Sequence, residues 1–310
     1  MTDIKYARSE NANAALNALQ HKILFNQITI GDLIVDSRTK LVHKGQYLGK
    51  PVAVCISKLT GSMVNAGEAE ILAKIGRHPN IVRFIARSTD NQGREVLVLD
   101  FAPHGNLHTV VSDEFDNVGP WPDRVLWEVL DQVASGMEEL HAQGIIHKDL
   151  ALRNILVYSF SSHCPERMRV KVADLGMSSV LEASAASSSY YYSGQAGTAL
   201  PVRWMAPESL TRNKWSEKSD VFSFGVLVWE LSSGGQLPWG LGMSDAEVQR
   251  AVTAGQRLEC VEGASAEVRN LVTQCCVPLA KDRPSFADIK GLIASFRGRA
   301  QLESASNQMK

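Results

Sequence analysis

The feature that most constrains the fold of this chain is an ordered series of short polar motifs in its second half. The first is HKDLALRNILV, in which four residues separate Asp149 from Asn154. Four further elements follow along the chain: Asp174-Leu175-Gly176, Ala206-Pro207-Glu208, Asp220 within the apolar run DVFSFGVLVWEL, and Arg283 within KDRPSF. One triplet arises easily by chance, whereas the full set in one order over about 140 residues is specific.

Hydrophobic periodicity divides the chain into a strand-rich and a helix-rich part. Between Ile28 and Asp100, the runs ITIGDLIV, TKLVHKG, PVAVCI and REVLVLDF predict strands. One helical stretch, GEAEILAKIG, interrupts them and carries Glu68. Beyond Asp100, apolar residues at helical spacing over 123–141 predict a long helix, and the all-round apolar run 220–231 predicts a helix buried in the centre of a domain.

The expected fold class is therefore α+β, with a small β-rich lobe bearing one helix and a larger, mainly helical lobe. The expected boundaries are an N-terminal extension over 1–27, the small lobe over 28–100, a hinge and large lobe over 101–298, and a tail over 299–310. The segment from Asn13 to Phe25 could form a short helix, residues 160–167 are expected to form a surface loop between two strands, and 182–193 an exposed mobile loop.

Composition excludes several classes of function. The formal net charge of −1 gives no whole-protein field that would favour nucleic acid, so no nucleic-acid partner is expected. No apolar run approaches the roughly 18 residues of a membrane span, so no membrane segment is expected. The five cysteines show no CxxC spacing, which argues against a disulfide framework and suits a reducing, cytoplasmic location.

The ordered motifs resemble those of protein kinases, whose catalytic loop H-R-D-L-x-x-x-N, D-F-G and A-P-E occur in this order. The resemblance covers about Ile28 to Phe296 and implies a two-lobed kinase fold, ATP and Mg²⁺ as cofactors, and a protein substrate. It implies that Asp149 accepts the proton of the substrate hydroxyl, and that Asn154 and Asp174 bind magnesium. The adenine pocket is expected to be formed by Val42, Ala53, Leu99 as gatekeeper, Leu156, and the backbone of Asp100 and Ala102. Glu208 and Arg283 resemble the family's buried structural ion pair.

Other residues resemble the tyrosine-specific branch of that family. Ala151 stands where serine/threonine kinases carry a lysine, and Arg153 precedes Asn154 as in tyrosine kinases. LPVRWMAPESL resembles the platform that receives a substrate tyrosine. Tyr191 and Tyr192 match the spacing of activating tyrosines, which implies phosphorylation of the triplet Tyr190, Tyr191 and Tyr192 and a transient homodimer for trans-autophosphorylation. Lys148 replaces the arginine expected before Asp149 and keeps the charge but not the bidentate fork.

One catalytic position departs from the family. The strand lysine expected after Val52-Ala53-Val54 is Cys55, which leaves its expected partner, Glu68, without a cation. The three positions of the glycine-rich loop are Val35, Ser37 and Lys40, and none of them is the glycine that lets the backbone approach the phosphates closely.

Two interpretations of this departure remain open. In the first, the chain is a pseudokinase that acts as an ATP-binding or scaffolding module. In the second, Lys40 replaces the missing lysine, as in the with-no-lysine kinases, which carry cysteine at the strand position and lysine at the third glycine position. Lys40 lies two residues from Val42, so both side chains share a strand face, and Val42 should face adenine. Lys58 should point to the opposite face, and Lys44 lies farther from the phosphates.

Overall fold

The computed structural model describes residues 21–58, 67–162, 164–180 and 200–308. The strands are β1 Ile28–Asp36, β2 Lys40–Tyr47, β3 Lys50–Ser57, β4 Phe84–Thr89, β5 Glu95–Asp100, β6 Ile145–Ile146, β7 Ile155–Ser159, β8 Arg169–Val172 and β9 Ser179–Val180. The helices are α1 Gly67–Ile75, α2 Leu107–Val118, α3 Asp123–Ala142, α4 Pro207–Arg212, α5 Glu217–Ser232, α6 Asp245–Thr253, α7 Ala266–Cys275 and α8 Phe286–Gln308. The predicted phosphorylation sites Tyr190–Tyr192, with their loop, and most of the predicted helix 13–25 lie outside the described residues.

The N-terminal part is one antiparallel sheet in the order β1-β2-β3-β5-β4. Side chains alternate between its two faces. On one face Cys55, Leu97 and Leu99 join the main hydrophobic core, which also contains the apolar face of α1. On the other face Val54, Val98 and their neighbours form a smaller cluster with Ile28 and Ala86. The face that carries Cys55 is therefore the one that meets α1 and the rest of the molecule.

The C-terminal part is largely helical and is organised around α5. Every residue of α5 from Ser219 to Leu231 is buried, as the apolar run predicted. The predicted long helix is α3, which has Asp123 in its first turn and is followed at Gly144 by a positive φ of 71°. The predicted loop 160–167 separates β7 from β8, which pair with each other.

The α+β fold predicted from the sequence is thus confirmed: a five-stranded antiparallel sheet with one helix precedes a largely helical part. Several elements of this architecture were not predicted, among them α4, α6, α7 and α8. Two further ones lie near the site. Strand β4 (FIARST) pairs with β5 at the sheet edge, and α2 begins at the N-cap Asn106, whose side chain accepts a hydrogen bond from Thr109 N–H. The lobe boundaries at 100/101 and the terminal segments stay predictions.

Candidate active site

Lys40 is the first residue of β2 and follows a tight turn over 37–39 at the tip of the β1–β2 hairpin. Ser37 closes this turn, since its hydroxyl donates to the carbonyl oxygen of Lys40 at 2.9 Å and accepts from the Lys40 N–H at 3.1 Å. The end of β3 clamps the same turn, because Lys58 N–H donates to the carbonyl oxygen of Thr39 at 2.8 Å. The backbone at Lys40 is thereby fixed from two sides.

The register of the sheet places Lys40 on the face that carries Cys55. Val42 lies directly opposite Cys55, and Lys40 lies opposite Ser57, so the four side chains share one face. A lysine chain spans several ångströms, which lets an ammonium group anchored on β2 reach the space that a lysine at position 55 would fill. The predicted sharing of a face by Lys40 and Val42 is present in the structure.

The ammonium group of Lys40 ends at the Asp174-Leu175-Gly176 motif. Its Nζ lies 2.7 Å from Asp174 Oδ1, and the two side chains are 22% and 36% exposed. Of the described acidic residues, Asp174 and not Glu68 forms the ion pair with Lys40. Lys58, the rival candidate, pairs with Asp36 at the sheet edge, and Lys44 lies over the Phe101 ring, 5.2 Å from its centroid. Neither rival reaches Asp174.

Glu68 of α1 nevertheless contributes to the same site. A Cβ built on Gly176 would lie 3.3 Å from Asp174 Oδ1 and 3.4 Å from Glu68 Oε2, so both carboxylates border this glycine. Leu175 N–H donates to Glu68, and Gly176 N–H donates to Asp174. Three charged groups on β2, α1 and the Asp174 motif are therefore gathered around one point.

The pKa values of this cluster follow from burial and mutual charge. Burial alone would lower the pKa of Lys40, but Asp174, Glu68 and Cys55 together raise it above its ordinary value. Burial acts to raise the pKa of Asp174, but the ammonium of Lys40 outweighs it and holds that pKa below its usual range. Burial raises the pKa of Glu68 in spite of Lys40, and burial raises the pKa of the Cys55 thiol to about 12. At neutral pH Cys55 is accordingly an uncharged thiol beside the lysine.

Asp220 at the start of α5 organises the backbone of the HKDLALRN loop. Its carboxylate accepts hydrogen bonds from His147 N–H at 2.8 Å and Lys148 N–H at 2.9 Å, and lies 2.9 Å from His141 Nε2. His147 in turn accepts from Asp149 N–H at Nδ1 (3.2 Å) and lies 3.1 Å at Nε2 from the carbonyl oxygen of Ala173. The sequence singled out Asp220 but missed His147 as the link between the loop and the residue before Asp174.

The side chains of the same loop converge on Asp149. Asn154 Nδ2 donates to the Asp149 backbone oxygen at 2.6 Å and to its Oδ2 at 2.8 Å, and Arg153 donates to Oδ1. The guanidinium of Arg153 also lies over the Trp204 ring, 4.3 Å from its centroid. Asp149 is thereby held in one orientation by two neighbours from its own loop.

The oxygen atoms at this site suit magnesium. Asn154 uses its amide nitrogen for Asp149, which leaves the side-chain oxygen as a ligand, and Asp174 supplies a carboxylate of lowered pKa. These are hard oxygen donors of the kind that Mg²⁺ takes beside phosphate groups. The residues present therefore fit Mg²⁺-ATP, and Asn154 and Asp174 are the residues that would hold the metal.

The residues predicted to contact adenine divide between the sheet and the helical part. Ala53 lies opposite Leu99, on the same face as Val42, and Leu99 is 8% exposed. Leu156 lies on β7 and packs against the main core, and Ala102 is buried just beyond β5. Val42, Ala53, Leu99 and Leu156 thus belong to or pack against the same hydrophobic core, while their contact with a nucleotide stays a prediction.

Asp100 forms a polar cluster with Tyr158 and Lys171 that was not predicted from the sequence. Its carbonyl oxygen accepts a hydrogen bond from the Tyr158 hydroxyl at 3.2 Å, and its carboxylate pairs with Lys171. The Lys171 ammonium lies 4.2 Å from the centroid of the Tyr158 ring, which closes the triangle. Burial and the negative charge of the Asp100 carboxylate raise the pKa of Tyr158, so the hydroxyl remains a donor. Adenine bound at the Asp100 carbonyl would have to share it with Tyr158.

Lys148, which was expected to keep the positive charge of the usual arginine, lies in a buried environment. It is 3% exposed, and its backbone has a φ of +70°, a conformation that non-glycine residues seldom adopt. Burial lowers its pKa to about 8, although Asp220 opposes that shift. The expectation that a lysine keeps the charge of the usual arginine thus holds fully only below pH 8.

The Ala206-Pro207-Glu208 motif is tied to Arg283, as the resemblance implied. The two Glu208 oxygens accept from the Arg283 guanidinium at 2.7 and 2.9 Å. Arg283 is 2% exposed and also donates to the carbonyl oxygens of Val277, Lys218 and Pro278. This bidentate pair joins the start of α4 to the segment before α8.

Comparison with known proteins agrees with this geometry. Residues 40–293 match the family model described as protein tyrosine and serine/threonine kinase. The chain is 35% identical over 237 residues to the tyrosine-protein kinase receptor TYRO3 of Xenopus tropicalis, with 74% of this chain and 25% of the relative covered. It is 33% identical over 238 residues to the fibroblast growth factor receptor homolog 1 of Drosophila melanogaster, with 72% and 31% covered. The chain thus matches about a quarter to a third of the length of these receptors. Within the described ranges, no helix has the length and apolar character of a membrane span.

Proposed function

We propose that this chain, which belongs to the protein tyrosine and serine/threonine kinase family, is an active enzyme that transfers the γ-phosphate of ATP to tyrosine hydroxyls of proteins. The observation that carries the proposal is the contact of 2.7 Å between Lys40 Nζ and Asp174 Oδ1. It supports a relocated lysine, because a cation from β2 stands beside the carboxylate that would hold magnesium. In this proposal the catalytic lysine has moved from position 55 on β3 to position 40 on β2, and Cys55 does not indicate a loss of activity.

Each residue of the site has a role in this reaction. Mg²⁺-ATP supplies the transferred group and part of the charge that neutralises it. Asp174 and Asn154 hold the metal, Lys40 binds the phosphates, and Glu68 orients Lys40 from α1. Asp149, held by Asn154 and Arg153, accepts the proton of the substrate hydroxyl.

Preference for tyrosine is the finer part of the proposal. It is supported by Ala151 and Arg153 in the catalytic loop and by the platform segment LPVRWM. The anchoring of Arg203 supports a rigid platform, since its guanidinium donates to Asp245 and to the carbonyl oxygens of Pro238 and Gly240. The similarity to two receptors named as a tyrosine kinase and a fibroblast growth factor receptor adds to this support.

Three further parts of the proposal rest on the sequence. Tyr190, Tyr191 and Tyr192 are proposed phosphorylation sites, and a transient homodimer is proposed to phosphorylate them in trans. A reducing, cytoplasmic location is proposed for this chain, with support from the five cysteines, all of which are free.

A pseudokinase remains the second candidate, and one feature favours it. Ser37 closes the β1–β2 turn at the position where the family has glycine, so the phosphates lose part of the backbone cradle that glycine permits. In this alternative the chain binds ATP or a signalling partner without phosphoryl transfer.

The deciding experiment compares Lys40→Met with Lys58→Met. Tyrosine phosphorylation of the protein itself or of a peptide is measured with Mg²⁺-ATP for the purified chain. We expect Lys40→Met to lower the rate at least 100-fold, because it removes the lysine proposed to contact the phosphates. Lys58→Met, which removes a lysine that pairs with Asp36 at the sheet edge, should leave the rate within twofold.

Two results would contradict the proposal. Equal rates for Lys40→Met and the unaltered chain would exclude the relocated lysine. Absence of phosphorylation in the unaltered chain, together with a thermal shift on addition of ATP, would support the pseudokinase.

A further inference from the structure

Glu230 is a buried carboxylate near the end of α5 that no part of the proposed reaction uses. It is 2% exposed and is the second acidic residue of the otherwise apolar run DVFSFGVLVWEL. Its Oε2 atom accepts two hydrogen bonds, from Trp204 Nε1–H at 2.7 Å and from Leu152 N–H at 3.2 Å. Burying a carboxylate this completely costs desolvation free energy, which its hydrogen-bond partners must offset.

The two donors belong to two different functional segments. Leu152 lies in the catalytic loop, between Asp149 and Asn154, and Trp204 lies in the platform segment LPVRWM. The guanidinium of Arg153, which donates to Asp149, lies over the Trp204 ring. One oxygen of Glu230 therefore connects the platform segment to the catalytic loop, which carries the proposed base Asp149. The contact between Arg153 and Trp204 is a second connection between the same two segments.

We propose that Glu230 is a positioning residue that holds the tyrosine platform against the catalytic loop, and that it does so fully only when its carboxyl group is ionised. Uptake of a proton by Glu230 weakens both hydrogen bonds and the attraction for Arg153, which loosens Trp204 from the loop. The kinetic consequence rests on the proposed kinase function, whereas the contact and its titration do not.

The electrostatic surroundings place this ionisation in the neutral range. Burial raises the pKa of Glu230 to about 7, although the hydrogen bonds from Trp204 and Leu152 and the charge of Arg153 oppose the shift. Asp149 adds to it as a like charge. Arg153 and Asp149 are thus the charged groups that face Glu230 from the catalytic loop, whereas Arg203 on the platform segment is directed to Asp245. Above pH 7 the carboxylate predominates, and below it the neutral acid.

The first test observes Trp204 directly and needs no activity. The indole N–H resonance of Trp204, assigned by its loss in Trp204→Phe, is followed by NMR from pH 5.5 to 8.5. We expect it to titrate with a midpoint near 7 in the unaltered chain and to be independent of pH in Glu230→Gln, whose amide still accepts hydrogen bonds. Ser223→Ala is the matched control. Ser223 also lies on α5 and donates to the Trp204 carbonyl oxygen at 2.8 Å but has no ionisable group, so titration should persist there.

The second test measures kinetics with a tyrosine peptide. For the unaltered chain, KM for the peptide should rise about five- to tenfold as the pH falls from 8 to 6, while KM for ATP stays constant, because the charge-assisted hydrogen bond becomes a neutral one. Glu230→Gln should show the higher peptide KM at every pH. A titration of the Trp204 resonance that is unchanged in Glu230→Gln, or absent from the unaltered chain, would overturn the proposal. An inactive protein in which that titration is present would refute the kinase function alone.

Discussion

At the scale of single residues, the site shows how one cation can be supplied from either of two neighbouring strands. Pairing of β2 with β3 puts Val42 beside Cys55 and Lys40 beside Ser57, so a lysine at position 40 projects from the same face as a lysine at position 55 would. Period-two alternation made this predictable from the sequence. The partner was not predictable, because the contact with Asp174 depends on how the sheet meets a motif 134 residues away.

The residue-scale prediction concerns the stability of this ion pair. Asp174→Asn removes the charge that compensates a largely buried ammonium group, and we expect the free energy of unfolding to fall by about 2 kcal/mol, between the values typical of exposed and of buried pairs. Asp36→Asn breaks the pair with Lys58, whose side chains are 32% and 60% exposed, and should cost less than about 0.5 kcal/mol. Urea denaturation of both variants makes the comparison, and equal losses would refute the burial argument.

At the scale of elements, sequence patterns predicted long, strongly periodic segments and missed short ones. The apolar run of α5 and the spacing in α3 specify helices almost without context. Strand β4 has the mixed sequence FIARST, and its pairing with β5 decides its conformation. Tyr158 and Lys171 escaped notice for a related reason, since β7 and β8 bring them to Asp100 only in the folded chain. Glu230 could have been found from the sequence, because a carboxylate within a largely apolar helix needs buried partners.

The element-scale prediction concerns the junction between α4 and α8. Arg283→Met leaves Glu208 without its bidentate partner and removes the hydrogen bonds to three carbonyl oxygens, so we expect a loss of about 3–5 kcal/mol in the free energy of unfolding. Arg297→Met is the matched control on α8. Its guanidinium pairs with Glu128 and Asp131 but is 39% exposed, and its removal should cost about 1 kcal/mol or less. Thermal or urea unfolding of both variants provides the measurement, and a small loss for Arg283→Met would contradict the structural role of the pair.

At the scale of the whole molecule, the catalytic motifs were predictable because each is a short local pattern. Their assembly was not, because it depends on buried groups that join distant segments. Asp220 reaches His147 and Lys148 from α5, and Glu230 reaches Leu152 and Trp204 from the other end of the same helix. Two carboxylates near the two ends of α5, both buried in the apolar core, thus hold the catalytic loop in place.

Buried ionisable groups also make the stability of the whole chain depend on pH. The pKa of Glu230 is about 7 in the folded chain and near its ordinary value of 4.5 in the unfolded one, so the folded state binds more protons between these limits. Stability from this group is therefore lost as the pH rises from about 4.5 to 7, by up to about 3 kcal/mol. Lys148 acts in the opposite sense. Its pKa is lowered from 10.5 to about 8, so the unfolded state binds more protons between these limits, and stability rises with pH there.

Two variants separate these contributions. Subtracting the unfolding free energy of Glu230→Gln from that of the unaltered chain, at each pH from 5 to 10, should give a difference that falls until about pH 7 and is then constant. The same subtraction with Lys148→Met should give a constant difference up to about pH 8 and a rising one above it. Urea denaturation at each pH yields both curves. A flat difference curve for Glu230→Gln would mean that this carboxyl group titrates normally in the folded chain, and a flat curve for Lys148→Met would mean that the ammonium group is solvated.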